Sequence, residues 1–332
     1  MAHGLLSTCV TMAPNSARFP LLFLAALLFL SLIPVRVSAN AEVKSVFQYS
    51  LSNLYGKYPF NEVRVRVDRP RDEVYVIDQG IVRIFNSVGM EEYWFGDDPA
   101  LGTIFDVAVD EKGDILLLSY DFTDPLAPKY ALLRCNYRGE IKEKIQVSGA
   151  PSEFSFGPNS MFYRDGKFIL VSLNEAKAVV TDEKGVFLRG YDFLKIIDLP
   201  EKDRSEKEIF GIAIDPAGNL LFTIPVLFKA YVVSPEGAMV GSFGKAGSAP
   251  GHFGVVSGIA MDDRGNYLVV ERLRGVVMVF DKEFRFLKEF GYRGTKPGNL
   301  VQPSDLAVGN TGKLYVTQAR SRGISVFSLA VD

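Results

Sequence analysis

Histidine, cysteine and tryptophan are nearly missing from this chain: its 332 residues include two, two and one of them. The histidines are His3 and His252, and the cysteines are Cys9 and Cys135. So few leave little room for a Ser-His-Asp triad, a Cys-His nucleophile or a histidine-rich zinc centre. Two cysteines cannot build a disulfide framework, and no Cys-x-x-Cys-His stretch is present to attach a haem. An excess of charge of one sign is also missing. Against 37 Lys+Arg stand 39 Asp+Glu, for a net charge of −2, which excludes a strongly basic nucleic-acid binder. No phosphate-cradling loop occurs; Gly241-Ser242-Phe243-Gly244 reads as a strand-end turn. What the chain does have is apolar bulk. With 48% hydrophobic and 23% charged residues it can bury a large core. Length alone suggests about two domains at roughly 150 residues each, a rule that single all-β rings exceed.

One long uncharged apolar run occurs, Phe19 to Val35, with Arg18 before it and small residues, Ser38, Ala39 and Ala41, after it. That order predicts a secretory signal peptide over residues 1–39, cleaved near Ala39 or Ala41. An uncleaved anchor is the alternative, but the run is at the short limit for a bilayer span. Cys9 precedes the apolar run and so cannot be a lipoprotein cysteine. Cleavage removes Arg18 and Arg36 and no acid, leaving a net charge of −4. The expected destination is the periplasm or the exterior, with no membrane span after cleavage. The absence of any Asn-x-Ser/Thr glycan acceptor fits a bacterial envelope.

The remainder is repetitive. An apolar strand, an Asp-x-x-Gly-like turn and a second apolar strand recur as Phe105–Leu116, Phe210–Phe222, Ser257–Val269 and Ser304–Val316, with looser copies at Ser160–Leu170 and Val63–Ile77. The turn glycines at 113, 166, 218, 265 and 312 are 53, 52, 47 and 47 residues apart. A period near 40–50 with several short strands is the mark of a propeller blade. Asp holds a tight turn by bonding its own backbone, and Gly supplies the positive φ. Each blade has two apolar faces to bury, so blades close into a ring. The expected fold is all-β: a six-bladed propeller of four-stranded antiparallel blades over residues 43–332. The last blade has no fourth strand before Asp332. The segment Val46–Leu51, which is patterned like Phe286–Phe290, is expected to complete it and close the ring.

The pattern resembles the NHL-repeat family of six-bladed propellers over about Val46 to Leu329. The resemblance rests on Pro303–Val308, Gly312–Thr317 and the inter-blade loops Gly291–Leu300 and Gly244–Phe253. After the second strand the family's usual Asp survives only as Asp78; Ser119, Ser172, Ile224, Glu271 and Gln318 stand elsewhere. The resemblance implies a fold and leaves function open. Peptide-amidating lyases share this type of propeller but rely on several histidines, which this chain lacks. RNA binding, as in some intracellular NHL proteins, needs a basic face that a net charge of −4 and export both oppose.

On such a ring, loops entering the first strand and leaving the second converge on one face of the central channel. Those places carry Glu62, Asp78, Asp106, Glu271 and Asp305, with Asn174 and Gln318 nearby and Arg272, Arg274, Arg320 and Arg322 in adjoining loops. Converging carboxylates, Glu62, Asp106 and Asp305 first among them, would suit Ca²⁺ through oxygen ligands, as lactonase-type propellers arrange Glu, Asn and Asp around a central metal. The competing expectation is that the acids and arginines pair with each other. His252 is expected as a loop residue, Cys135 as a buried apolar side chain and Trp94 as inter-blade packing. Two insertions, Tyr120–Lys129 and Leu194–Glu208, lengthen loops, either as tolerated surface insertions or as the long loops on a rigid scaffold where binding tends to sit. The function expected is an exported, non-enzymatic scaffold without a cofactor, binding a protein, peptide or envelope polymer on its rim or central face. The alternative is a metal-dependent lactonase or hydrolase working in the acidic mouth.

Overall fold

The computed structural model describes residues 43–123 and 129–331. The expected leader and its cleavage positions lie outside the described residues, as do residues 124–128 of the first insertion. Second strands such as Ile115–Asp121 and Leu220–Ile224 are almost continuously apolar because they lie mid-sheet, covered on both faces. Outer strands such as Ile141–Ile145, with Lys and Glu at their centre, are exposed along most of their length. This gradient orders each blade from channel to rim. The innermost strands are Arg64–Asp68, Thr103–Val109, Ser160–Arg164, Gly211–Ile214, Val256–Met261 and Pro303–Val308. Five blades follow chain order outward as antiparallel four-stranded sheets.

The sixth blade is made from both ends of the described chain. Val43–Ser50 pairs antiparallel with Ile324–Val331, from Val43 opposite Val331 to Ser50 opposite Ser325. The expected closure is therefore present. Phe47 meets Phe327 edge-on at 5.8 Å between ring centroids.

No blade buries its faces alone. Six apolar clusters fill the six seams: one-two around Ile77 and Leu117, two-three around Leu118 and Phe168, three-four around Phe193 and Phe222. The others are four-five around Phe253 and Val269, five-six around Leu268 and Leu314, and six-one around Val65 and Tyr315. The turns work as expected. Asp110 Oδ1 accepts from the backbone of Lys112 and Asp114 at 2.9 Å, and Asp215 and Asp262 repeat the arrangement. A second set between third and fourth strands uses Asn86, Asn136, Asp182 and Asp281 in the same way.

Cys135 is fully buried in the one-two seam, and burial pushes its thiol pKa up to about 12. The thiolate is the reactive form. Cys135 should therefore resist a disulfide reagent at pH 8 in the native chain and react at once in guanidinium; rapid native labelling would place it at the surface.

Candidate functional site

Four residues before each blade's first turn lies one register of the innermost strands, occupied in turn by Arg64, Asp106, Ser160, Gly211, Gly258 and Asp305. Around blades four to six the register is tight. A Cβ on Gly211 would lie 2.2 Å from the Ser257 carbonyl oxygen, and one on Gly258 2.9 Å from Asp305 Cα. Around blades one to three, long polar side chains fill the space instead. Two positions on, Ala108, Ala213, Ala260 and Ala307 are matched in blade one by Arg66 and in blade three by Phe162.

The two aspartates bind neighbouring blades together. First strands carry β-bulges beside them, between Ile104 and Asp106 and between Pro303 and Leu306. Bulges re-aim side chains and break the ladder locally. Each aspartate accepts from the next backbone N–H with Oδ1: Val107 N to Asp106 and Leu306 N to Asp305, both 2.9 Å. Each Oδ2 reaches the next blade, Asp106 accepting from Met161 N at 2.9 Å and Asp305 from Val65 N at 3.3 Å. Asp106 Oδ2 also accepts from Arg66 Nη2 at 2.7 Å, Arg64 Nη1 at 3.0 Å and Ser160 Oγ at 3.0 Å. Asp305 is held more loosely, with Arg66 Nη1 at 3.7 Å.

This asymmetry sets their charges. Burial raises a carboxylate pKa and adjacent guanidiniums lower it. At Asp106, which is wholly buried, burial is outweighed by Arg66 and Arg64 together with the Met161 N–H, which hold the pKa below the ordinary value. At Asp305 burial wins over the same arginines and the pKa is raised. Arg66, crossing the channel, also lies 5.1 Å from the Phe162 ring centroid, and its Nε is buried without a partner among the described residues.

Above this cluster is an open mouth of about 360 Å³, lined by Glu62, Arg64, Phe105, Phe210, Arg272 and Asp305 among others. Glu62 and Arg272 form an ion pair across it. Of the three carboxylates expected to face a cation, Asp106 and Asp305 are thus bracketed by arginines and backbone, and Glu62 is paired with Arg272. Among the described residues, no three His, Cys, Asp or Glu side chains group as a metal ion would require.

The other expected face residues divide. Glu271 and Gln318 are not on the face: they are 0% and 1% exposed. They end second strands and hold the loops that return over them. Glu271 accepts from Val255 N and Arg274 N, both 2.7 Å, and Gln318 accepts from Val301 N at 2.8 Å. Arg274 likewise serves the scaffold, pairing with Glu289 at 2.8 Å. Arg322 donates to the Thr295 carbonyl at 2.7 Å. Asp78 is partly buried, which raises its pKa against the lowering pull of Arg83. Asn174 and Arg320 are exposed on the loops. His252 is a loop residue, its Nδ1 3.3 Å from the Pro250 carbonyl. Trp94, expected in a seam, is 47% exposed on the outer strand beside the Arg83 guanidinium. The insertion Leu194–Glu208 begins within a short helix, Phe193–Ile196, and docks Leu194, Ile196, Ile197 and Leu199 on the three-four seam.

The reading from sequence missed Arg64 and Arg66, the centre of the cluster. One signal was available: Arg66 stands where four blades place alanine. Exposed apolar groups stand on the same face, and one of them, Phe210, lines the mouth. Phe210 is 45% exposed, and Phe122 and Leu273 are exposed on loops of the same face.

The sequence matches no protein-family model and no curated protein sequence. Solved structures do share the fold. A protein of unknown function from Bacteroides thetaiotaomicron superposes with a TM-score of 0.59 at 13% identity, covering 87% of this chain and 77% of that one. An auxiliary nutrient binding protein from Bacteroides ovatus gives 0.58 at 14%, covering 87% and 78%. A catalytically inactive virginiamycin B lyase from Staphylococcus aureus, solved with quinupristin, gives 0.55 at 10%, covering 87% and 100%. At these identities the likeness is one of fold.

Proposed function

We propose that this chain is an exported, non-enzymatic binding propeller of NHL type, engaging its ligand at the central mouth and the loops around it. The ligand would be a peptide, protein or polymer component of the bacterial envelope. One observation carries the reading. The mouth's carboxylates are engaged by guanidiniums and backbone N–H groups, while exposed apolar groups, Phe210 foremost, stand beside them. Held carboxylates stiffen a recognition surface; a hydrolytic centre needs them free to move protons or ligate a metal. The neighbour described as a nutrient binding protein supports a binding role for this architecture. The leader pattern supports export, and the acidic charge weighs against nucleic acid.

The competing reading is a metal-dependent hydrolase using Glu62, Asp106 and Asp305. Calorimetric titration with Ca²⁺, Mg²⁺ and Zn²⁺ separates the two. No saturable heat is expected. A one-site isotherm abolished by Asp305→Asn would replace the binding reading with the hydrolase.

A further inference from the structure

Two guanidiniums at the mouth are only partly used. Arg64 directs Nη1 alone at its acceptors, the carbonyls of Phe105 at 3.2 Å and Asn159 at 2.5 Å and Asp106 Oδ2 at 3.0 Å. Arg272 directs Nη2 alone at Glu62. Among the described residues the remaining N–H groups of both have no hydrogen-bond partner, and they are not among the buried unpartnered atoms. Both side chains line the same cavity, each 24% exposed. A guanidinium is a rigid planar fork of donors that suits a carboxylate bidentately. Arg64 is fixed by its three Nη1 acceptors, so its free edge is presented in one orientation.

The rest of the lining is mixed: Glu62, Asp305, Ser160, Ser257 and Ser304 are polar. Phe105, Phe210, Leu173 and Ile77 contribute apolar surface to the same cavity. Phe105 is braced from behind by Tyr120, with ring centroids 4.7 Å apart, so it is a stiff wall. A cavity of about 360 Å³ falls within the roughly 300–1,000 Å³ usual for small-ligand sites. Apolar side chains set beside convergent polar groups that fix orientation are features of such sites. Of the acids beside these guanidiniums, Asp106 is shared with Arg66 and the Met161 backbone and Glu62 takes one amino group of Arg272, while Asp305 is loosely held at 3.7 Å from Arg66 and its raised pKa weakens its claim on the cationic groups.

We propose that the central mouth recognises a carboxylate carried next to an aromatic or bulky apolar group, the carboxylate on the free edges of Arg64 and Arg272 and the apolar group against Phe105 and Phe210. The proposal rests on the binding reading above and names its ligand chemistry. That chemistry is found in a free acylated amino acid and equally at the C-terminus of a peptide.

The test is isothermal titration of the full exported chain, residues 40–332, with N-acetyl-L-phenylalanine, its carboxamide, and a free-acid Gly-Gly-Gly-Phe tetrapeptide. Saturable binding of the acid is expected, at least tenfold tighter than the amide. A tetrapeptide tighter than the single residue identifies a peptide C-terminus as the source; the reverse identifies the small acid. Arg272→Gln, at a partly exposed position, should weaken the acid about tenfold and leave the melting temperature unchanged. Phe210→Ser should weaken acid and amide alike. Arg64→Gln should abolish acid binding, and its melt reports whether the fold is intact. Equal binding of acid and amide, full affinity in Arg272→Gln, or no binding of either acid at millimolar concentration overturns the proposal. None of these outcomes bears on the metal titration, which judges the binding reading by itself.

Discussion

A chain that begins at Ser52 should melt roughly 6–16 °C below one that begins at Val43, reading 1 kcal/mol as about 1.6 °C at about 2.1 cal/mol/K per residue for a ring of this size. The removed segment is the outer strand of blade six. Without it, Ile324–Val331 becomes an unpaired edge, and edges left open invite pairing between copies. Phe327 loses Phe47 and is left with Phe290, 5.3 Å away, as its aromatic neighbour. Leu51, fully buried in the six-one seam, is also removed, and its backbone N–H no longer reaches the Ile324 carbonyl. Losing one buried Leu and one packed Phe costs about 2–5 kcal/mol each when such side chains are truncated to Ala. The loss approaches the whole stability of an ordinary domain, about 5–15 kcal/mol. Differential scanning calorimetry of both chains decides it. Equal midpoints would mean that the ring is held by the other five blades alone.

That closure was legible because it is a pattern of one segment matched against another. The same holds for the turns, where Asp110 and Asp262 bond within four residues of themselves. Local chemistry of this kind is written in short stretches. The mouth is different. Arg64 finds Asp106 42 residues on and Asn159 95 residues on, and Asp305 meets Val65 across 240 residues. Carboxylates near a channel were readable from loop positions, yet their partners were not, because ring closure alone brings blade six beside blade one. Glu271 and Gln318 show a second limit. Their place at a strand end was read correctly, but a strand-end side chain can face the channel or turn back under its loop. The backbone N–H groups of Val255 and Val301 needed acceptors, and that demand decided the direction.

Asp106 and Asp305 occupy one register on the same ring, and their neutralised variants should behave oppositely. Asp106→Ala leaves Arg64 and Arg66 without their close counter-charge and Met161 N–H without its acceptor. Removing one member of a buried ion pair costs about 3–5 kcal/mol. Asp106→Asn keeps the size and loses the charge, so it should be destabilised as well, by a smaller amount. Replacing Asp106 by Leu and Arg66 by Met together should recover part of the loss, since a buried pair is often matched by apolar residues of similar volume. Asp305→Asn should fall within about 1 kcal/mol of the parent at pH 7, because its one ion-pair partner among the described residues, Arg66, is 3.7 Å away and the amide oxygen can still accept from Leu306 N. The reason is the sign of each shift. The folded pKa of Asp106 is depressed, so its ionised form adds stability above the unfolded carboxylate value of about 4. That contribution begins to fade near pH 4 and is gone once the pH drops below the depressed folded value. The folded pKa of Asp305 is raised, so ionisation there works against the fold at neutral pH and protonation relieves it. Urea unfolding of parent and variants from pH 7 downward reads both effects. The gap between parent and Asp106→Asn should stay constant to about pH 4 and then close. For Asp305→Asn any deficit at neutral pH that shrinks in parallel would show that Asp305 is a charged strut like Asp106, and that the ring treats its two aspartates alike.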